Sequence, residues 1–439
     1  MTATTQQARS ATQPRAWLPV AAALLGIGWG ANQITPMLLV YRHALGLGTG
    51  TLEAAFGVYA LGLIPGLLIA GPLSDTRGRR AVVVPAVALS FLASVLLTGA
   101  TFSVALLFAG RLLAGVSSGA AFGAGTAWLR ETSLPPLGTA SDHTAARRAA
   151  VAMTSGFALG PMVAGIFAQW GPSPTVLPYL PHLAVMAVVW LLLRRAPETV
   201  TAGRRRVPRL STPGLRSPRF RTVVAPMAPW VFAAPAIAFA LLPSLAGAGQ
   251  ASNGVALTAA IAALCALAGI LVQPLARRLD LRPGRNRAAA AGLLVLAAGL
   301  VLGAVTAQAR EVWLLVPSAI VLGCAYGMCL VAGLVEVQRL AGSNGAAGLT
   351  AIFYALTYLG FAAPYLIVLG THLASYAVLL AVTALLAVGT AALITRAASG
   401  EQAASGQAAS GQAAGGQAAG EQATDAQADE CASRPQPAG

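Results

Sequence analysis

Twelve apolar stretches, each long enough to form a helix across a lipid bilayer, limit what this chain can fold into more than any other feature. A hydrocarbon core of ~30 Å requires about 20 apolar residues in a helix. The stretches lie near residues 17–41, 51–73, 81–101, 103–127, 146–170, 174–194, 222–245, 252–276, 286–307, 312–336, 346–370 and 374–396. Backbone polar groups in lipid must be satisfied internally, so runs of this length predict an all-α integral membrane protein with twelve transmembrane helices.

The composition supports a membrane location and argues against a soluble nucleic-acid-binding protein. Charged residues make up 9% of the 439 residues, whereas hydrophobic residues make up 56%. Soluble domains carry roughly 25% charged residues, so most of this surface must face lipid or other protein. The net charge is +15, but the arginines lie between apolar runs rather than on one soluble face. No nucleic-acid partner is expected, because such binding requires a continuous basic surface.

The distribution of arginine predicts the orientation in the membrane. The connections after odd-numbered spans contain only Arg42 and Arg310. The connections after even-numbered spans contain Arg77, Arg79, Arg80, Arg147, Arg148, Arg195, Arg204, Arg205, Arg206, Arg209, Arg216, Arg219, Arg221, Arg277, Arg278, Arg282, Arg285 and Arg287. Arginine-rich loops remain in the cytoplasm, so both termini are expected in the cytoplasm of a multi-pass cell (plasma or inner) membrane protein.

The long basic connection in the middle divides the chain into two halves. We expect an N-terminal six-helix bundle at 17–194, a basic cytoplasmic linker at 195–221 and a C-terminal six-helix bundle at 222–396. Residues 1–16 form a predicted cytoplasmic N-terminal tail. The segment 397–439 repeats Ala, Gln and Gly without an apolar face, so it is predicted to be a disordered cytoplasmic tail.

The two halves also resemble each other in sequence. The motif Pro72–Leu73 ends the second span and Pro274–Leu275 ends the eighth. Small residues of spans four and ten match at one offset: Gly115, Gly119, Ala124 and Gly125 correspond to Gly323, Gly327, Ala332 and Gly333. Parallel six-span halves are a transporter architecture with a central substrate site. Chance matching between helices rich in glycine and alanine is the alternative.

The loop between spans two and three carries the most specific motif. The segment Gly71-Pro-Leu-Ser-Asp-Thr-Arg-Gly-Arg-Arg80 resembles the G-x-L-x-D-x-x-G-R-K/R loop of the major facilitator superfamily (MFS), a family of transporters. With twelve spans and a basic middle connection, the resemblance covers nearly the whole chain outside the tails. It implies two pseudo-symmetric six-helix bundles that transport a small molecule by alternating access.

The same resemblance implies a conformational latch. Family members set the aspartate of this loop against the start of span eleven and an arginine below span four. In this sequence those groups are Asp75, the residues near Ser343–Ala346, and Arg130. Asp75 is therefore expected to hold the two halves together in the outward-open state, with Gly71, Gly78, Arg79 and Arg80 completing the loop.

Arg111 lies well inside span four, where an arginine costs at least ~2.5–3.5 kcal/mol to insert. The segment Arg111–Gly115 resembles the R-x-x-x-G part of a family motif that has been linked to proton transfer. Asn32 and Gln33 lie at a similar depth in span one, and we expect the three side chains to line one cavity. The alternative is a structural arginine satisfied by backbone carbonyls and Glu53.

Span five carries a glycine motif. Gly156, Gly160, Pro161 and Gly165 resemble the G-x-x-x-G-P-x-x-G-G motif of the family's antiporters, with Ala164 in place of one glycine. The resemblance favours export. Close packing of small residues is the alternative, because such spacing is common in membrane helices.

No carboxylate lies inside span one, where many proton-coupled exporters of the family have one. Glu53 and Glu336 are the possible proton carriers if burial changes their affinity for protons, and permanently charged interfacial glutamates are the alternative. The proton gradient is the expected energy source and no cofactor is expected. The histidines and cysteines show no metal-ligand spacing, so no metal site is expected.

Aromatic residues of the second half supply candidate walls for a substrate cavity. Trp230, Tyr326 and Tyr354 join Asn32, Gln33 and Arg111 as candidate cavity residues, whereas lipid-facing or packing roles are the alternative for the aromatics. The resemblance implies proton-linked efflux of drugs or metabolites by a protein that functions as a monomer. An uptake symporter for a sugar or other metabolite and a non-transporting membrane sensor are the rival interpretations. No catalytic residues are expected, because acids, bases and metal ligands do not converge.

Overall fold

The computed structural model describes residues 15–200, 213–279, 287–341 and 346–397. Of the predicted segments, residues 1–14 of the first tail, 201–212 of the middle connection and 398–439 of the second tail lie outside the described residues. The described chain is helical from end to end, with short connections between its helices.

Twelve apolar helices follow one another along the described chain. The first six are α1 (Trp17–Leu45), α2 (Thr49–Arg77), α3 (Arg80–Thr101), α4 (Val104–Ser133), α5 (Thr144–Trp170) and α6 (Leu177–Leu193). The second six are α7 (Phe220–Leu245), α8 (Gly254–Leu279), α9 (Arg287–Ala309), α10 (Val312–Leu340), α11 (Gly348–Gly370) and α12 (Tyr376–Ala397). Eleven of these are long and apolar enough to cross a membrane, and α6 is shorter. The predicted spans are therefore all present as helices, most of them longer than their apolar cores.

Proline explains where three of these helices are irregular. The α-helical geometry of α1 is interrupted at Gln33, because Pro36 has no N–H group for the preceding turn. A π-helical turn at Ile237–Leu241 precedes Pro243 in α7. In α11 a 3₁₀ turn at Leu359–Ala362 precedes Pro364. Neighbouring helices re-satisfy such backbone groups, which lets a membrane helix carry these breaks.

Glycines on α4 and α10 reveal the relation between the halves. A Cβ atom at Gly115 would lie 2.0 Å from the carbonyl oxygen of Tyr59, so only glycine lets α4 approach α2 this closely. A Cβ atom at Gly323, the counterpart of Gly115, would likewise lie 2.3 Å from the carbonyl oxygen of Cys265, so α10 approaches α8 in the same way. The sequence match at one offset is thus a match in packing, and the two six-helix bundles are pseudo-symmetric.

The two bundles meet mainly at one end of the molecule. The main pairs in the described chain are the second segment of α1 with α8, α2 with α11, and α5 with α8, and α7 also contacts α1 and α2. Gly50 packs on Val368 and Gly165 packs on Ala259, both far from the arginines of the loop after α2. We name this region the closed end. The opposite region, which includes Arg77, Arg79 and Arg80, is the arginine-rich end.

Candidate functional site

A glutamine of the first bundle caps a helix of the second bundle at the closed end. The side-chain oxygen of Gln169 accepts hydrogen bonds from the backbone amides of Val255 and Ala256, each at 3.2 Å. Its side-chain nitrogen donates to the carbonyl oxygen of Ser252 at 2.8 Å. The first N–H groups of a helix have no partner within the helix, so a side-chain oxygen from α5 stabilises the start of α8. Gln169 therefore fastens the two bundles to each other.

Below this contact, stacked aromatic rings fill the space between the bundles. Phe232 of α7 stacks on Tyr326 at 5.6 Å, on Tyr358 at 4.5 Å and on Phe361 at 5.3 Å between ring centroids. Tyr59 of α2 meets Phe361 edge-on at 5.8 Å. Such pairs contribute about 0.5–1.5 kcal/mol each beyond their area of burial. The rings form a continuous layer that joins α2 of the first bundle to α7, α10 and α11 of the second.

Arg111 lies directly behind this layer and is fully buried. Its guanidinium donates to the carbonyl oxygens of Ala31 at 3.1 Å, Phe56 at 3.2 Å and Ala55 at 3.4 Å. The same group stacks over the ring of Tyr59, with 4.6 Å from Cζ to the ring centroid. These contacts match the alternative of a structural arginine that is satisfied by backbone carbonyls. Glu53, which that alternative also named, is not among the partners of Arg111.

Gln33 belongs to a buried chain of hydrogen bonds within the first bundle. Its side-chain nitrogen donates to Ser94 at 2.8 Å, and Ser94 lies 2.8 Å from Nδ1 of His182. Nε2 of His182 lies 3.0 Å from the carbonyl oxygen of Gly26. A carbonyl can only accept, so Nε2 donates and a neutral ring uses Nδ1 to accept from Ser94. The chain ties α1, α3 and α6 together.

The prediction that Arg111, Asn32 and Gln33 line one cavity is wrong for this structure. Arg111 and Gln33 have no exposed surface, and each points into a different set of neighbours inside the first bundle. Asn32 is half-buried, and its side chain donates at 3.5 Å to the carbonyl oxygen of Phe157. The physical reason is ordinary helix geometry, because adjacent residues such as Asn32 and Gln33 point about 100° apart around the helix axis.

Glu53 lies on α2 near the closed end and is 1% exposed. Its oxygen Oε2 is buried and has no hydrogen-bond partner among the residues that the structure describes. Arg42 is the basic residue close enough to act on it electrostatically, but Arg42 bonds to the hydroxyl of Thr49. Glu53 is thus a buried carboxyl group rather than a charged group at the membrane–water interface. It has no ion pair in the described part of the chain.

Glu336 has the opposite surroundings. It is buried on α10 at the arginine-rich end, and its carboxylate pairs with Arg219 and, at 3.4 Å, with Arg339. Its carboxylate is thus part of an ion-paired cluster, and a proton-carrying role for it stays a prediction.

The candidate aromatic residues of the second bundle occupy different positions. Tyr326 belongs to the stacked layer, and Tyr354 contacts Phe353 with ring centroids 5.9 Å apart. Trp230 donates its indole N–H to the hydroxyl of Thr390 on α12 at 3.2 Å. All three are half-buried, which is compatible with a wall that faces open space.

Arg79 is the centre of the loop between α2 and α3. It pairs with Asp75 and with Glu131 of α4 at 2.9 Å, and it donates to Ser74 at 2.7 Å. Burial lowers the pKa of Arg79, but the two carboxylates outweigh burial and the net direction is upward. The described partner of Asp75 therefore lies in its own bundle. Residues 343–345 lie outside the described residues, so the predicted contact with span eleven stays a prediction.

The loop has a second carboxylate that sequence reasoning did not identify. The backbone N–H groups of Arg79 and Arg80 each donate at 3.0 Å to the carboxylate of Glu198, which follows α6. Gly78 has a φ of 104°, and a Cβ atom there would lie 2.6 Å from Glu198. Glycine is thus needed for both the backbone geometry and the space. Glu198 satisfies free N–H groups at the start of α3 and complements the dipole of that helix.

The glycine motif of α5 permits close helix packing. Cβ atoms at Gly156 and Gly160 would lie 2.1 Å from the carbonyl oxygen of Leu25 and 2.4 Å from that of Trp29, both in α1. A Cβ atom at Gly165 would lie 2.5 Å from the Cβ of Ala259 in the other bundle. Pro161 lies inside the helix between them. The packing interpretation accounts for these contacts, and an antiporter role stays a prediction.

Three groups that the sequence analysis missed, Gln169, His182 and Glu198, had weak signals. Gln169 is a polar residue in the last turn of an apolar run, and His182 is a lone polar residue at the start of one. Glu198 is an acidic residue that follows two arginines and a proline. Each was visible in the sequence, but its partner lies more than 80 positions away in the chain.

Sequence comparison gives a local match to drug-resistance proteins. The chain is 41% identical over 81 residues to the multidrug resistance protein MdtL of Escherichia coli. The match covers 18% of this chain and 20% of that relative.

Solved transporters share the fold at low sequence identity. A POT family transporter in complex with 5-aminolevulinic acid has a TM-score of 0.69 and 13% identity, with 87% of this chain and 95% of that chain covered. The nucleoside transporter NupG has a TM-score of 0.67 and 13% identity, with 86% and 97% covered. A D-xylose–proton symporter has a TM-score of 0.64 and 17% identity, with 86% and 96% covered.

A family model settles the assignment. The model described as Major Facilitator Superfamily matches residues 18–365, which is most of the chain and includes all of the first bundle. The helical fold with two related bundles agrees with that match. The chain belongs to the Major Facilitator Superfamily, a family of multi-pass membrane transporters.

Proposed function

We propose that this protein exports small organic molecules by alternating access and couples export to proton entry through Glu53. The observation that carries the proposal is the buried carboxyl group of Glu53, whose Oε2 has no partner among the described residues. It lies on α2, one of the helices at which the two bundles meet. A carboxyl group at this boundary changes its surroundings whenever the bundles rock apart.

The proposed orientation places the arginine-rich end in the cytoplasm. The closed end then faces the outside, and the described conformation is the inward-facing one. Asp75 pairs with Arg79 of its own bundle, and the side chain of Asp75 is 45% exposed. This is the arrangement expected of an unlocked loop. In the outward-facing state, Asp75 would turn to the second bundle and act as the latch, with Arg130 nearby.

The proton step follows from the cost of burial. An ionised carboxylate without a partner is expensive in the membrane interior, whereas the neutral acid is tolerated. Glu53 therefore carries a proton while the closed end is sealed. In an antiport cycle this proton leaves toward the arginine-rich end before substrate binds there. Opening of the closed end then brings water to Glu53 and lets it take up the next proton from outside. Arg42, the nearby cation, can stabilise the carboxylate in the interval between release and uptake. Glu336 is less suited to this role, because its carboxylate is already engaged by Arg219 and Arg339.

Export is the direction favoured by the local similarity to MdtL and by the resemblance of the α5 motif to that of antiporters. The proposed substrate site lies between the bundles on the arginine-rich side of the aromatic layer. Its proposed walls are Asn32, Trp230, Tyr326 and Tyr354, which are all half-buried. Arg111 and Gln33 would support this wall from behind without contact with substrate.

The test is dye accumulation in cells that express the full chain, with ethidium as the probe. The proposal predicts lower accumulation in expressing cells than in cells with an empty vector, and loss of the difference when a protonophore collapses the gradient. Glu53→Gln should abolish the difference. Glu311→Gln is the matched control, because Glu311 is an exposed carboxylate at the same end. It should behave like the wild type.

Two outcomes would contradict the proposal. Export that persists in Glu53→Gln would remove Glu53 from the coupling step. Higher accumulation in expressing cells would reverse the direction and favour the uptake symporter, for which the fold similarity to a D-xylose–proton symporter gives a structural precedent only.

A further inference from the structure

A cleft at the arginine-rich end lies apart from the transport path. It is formed by the start of α1 and the end of α6, and its volume is about 580 Å³. This lies within the range of ~300–1,000 Å³ that is usual for ligand sites. Its lining residues are Arg15, Ala16, Pro19, Leu192, Arg195, Ala196 and Pro197. The cleft is thus basic on one side and apolar on the other.

The two arginines of the cleft have side chains available for a ligand. Among the described residues, neither Arg15 nor Arg195 forms a side-chain hydrogen bond or ion pair, and both are exposed. Glu198 is the nearest acidic residue in the sequence, and its carboxylate is bound by the N–H groups of Arg79 and Arg80. The neighbouring segments 1–14 and 201–212 contain no aspartate or glutamate. No counter-ion for the cleft is therefore present in these parts of the chain.

Tryptophans place the cleft at the depth of lipid headgroups. The guanidinium of Arg148 lies 4.1 Å from the ring centroid of Trp17, beside the cleft on α1. The guanidinium of Arg194 lies 4.6 Å from the ring centroid of Trp190 on α6. Tryptophan and arginine are enriched where the hydrocarbon meets water. The cleft is thus bounded on both helices by residues typical of the membrane interface.

The apolar side of the cleft continues onto the surface that faces the membrane. Leu192 lines the cleft and is 49% exposed, and its neighbour Leu191 is also exposed. Leu18 is exposed on α1. A ligand that fits both sides needs an anionic group for the arginines and hydrocarbon for the leucines. A free inorganic anion would use only the basic side.

We propose that the cleft between α1 and α6 binds the phosphate headgroup of an anionic phospholipid of the arginine-rich leaflet. Arg15 and Arg195 bind the phosphate, and the acyl chains lie along Leu18, Leu191 and Leu192. A basic pocket between membrane helices is a suitable receptor for such headgroups. The site needs no change of conformation and does not depend on the direction or coupling of transport.

The test measures lipid binding by the purified full chain. Native mass spectrometry would follow the binding of phosphatidylglycerol from mixed micelles that also contain phosphatidylcholine. The double variant Arg15→Gln/Arg195→Gln is compared with Arg277→Gln/Arg278→Gln, which removes the same charge from exposed positions of the second bundle at the same end. Each arginine near a membrane surface contributes ~1 kcal/mol, so the cleft variant should bind phosphatidylglycerol about thirty-fold more weakly. The control variant should bind like the wild type.

A second measurement does not depend on variants. Phosphatidylglycerol with a photoreactive headgroup is incorporated into phosphatidylcholine vesicles that contain the wild-type protein, and the labelled peptides are identified. Labels within 15–19 or 192–197 support the proposal. Labels elsewhere, or equal affinities of the two double variants, would overturn it. Suppression of the labelling by inorganic phosphate at a concentration equal to that of the lipid would also overturn it, because the site would then be one for a free anion.

Discussion

The side-chain oxygen of Gln169 lies 3.2 Å from the backbone nitrogen of Val255, so a helix of the first bundle caps a helix of the second. The same side chain also bonds to Ala256 and Ser252. All three bonds must break when the bundles separate at the closed end. Gln169 therefore stabilises one conformation of the transporter over the other.

Gln169→Ala should shift the conformational equilibrium toward separation at the closed end. Loss of neutral hydrogen bonds at ~0.5–1.5 kcal/mol each predicts a shift of about tenfold or more in the ratio of the two states. Distances between spin labels at Trp170 and Asn253, measured by pulsed electron paramagnetic resonance, report the shift. Gln250→Ala, at an exposed position of the same end, is the control. Equal distance distributions in both variants would show that the cap has no conformational role.

Gly165 should tolerate no larger residue, because it lies where α5 of the first bundle meets α8 of the second. A Cβ atom there would lie 2.5 Å from that of Ala259, so Gly165→Ala should keep the bundles apart at the closed end and slow transport several-fold. Gly389→Ala is the matched control, because a Cβ atom at Gly389 would meet nothing within 4 Å. Cross-linking between cysteines at Trp170 and Asn253 would measure closure. Wild-type cross-linking in Gly165→Ala would contradict this account of the motif.

Arg111 should prove necessary for stability rather than for substrate recognition. Arg111→Ala removes three hydrogen bonds from a charged donor, and we expect ~3–5 kcal/mol of destabilisation and a much lower melting temperature in detergent. Arg111→Lys should be intermediate, because one ammonium group cannot reproduce the planar fork. The folded fraction should keep its affinity for substrate. A stable Arg111→Ala protein with weakened substrate binding would restore the cavity interpretation.

Glu198 should stabilise the loop between α2 and α3. Glu198→Ala removes the acceptor of the Arg79 and Arg80 amides, and the loss of a cap predicts ~0.5–2 kcal/mol of destabilisation. Thermal unfolding in detergent measures this effect, and Glu311→Ala serves as an exposed control. Glu198→Gln should recover part of the loss, since an amide oxygen also accepts hydrogen bonds. Identical melting curves for the wild type and Glu198→Ala would refute the capping role.

The sequence was sufficient for features that depend on local composition. Apolar run length predicts the helices, and the match of Gly115 and Gly119 with Gly323 and Gly327 at one offset predicts two related halves. The loop motif at Gly71–Arg80 led to the correct family. These predictions succeed because each depends on residues that lie close together in the chain.

The sequence was insufficient where side chains find distant partners. Gln33 and Arg111 lie at a similar depth in the membrane, which suggested that they line one cavity. Depth does not show on which face of its helix each side chain lies. In the structure Gln33 bonds to Ser94 within the first bundle, whereas Arg111 reaches the carbonyls of α1 and α2. Glu53 was expected at an interface because it lies near the end of an apolar run. In the structure α11 packs against α2, and Glu53 is 1% exposed there.

The proton-coupling role of Glu53 is tested most directly by a measurement that needs no substrate. Proteoliposomes on a solid-supported membrane are subjected to a pH jump, and the transient charge displacement is recorded. The account predicts a transient for the wild type and for Glu311→Gln, and none for Glu53→Gln, which keeps the size of the side chain but cannot release a proton. A wild-type transient in Glu53→Gln would contradict it.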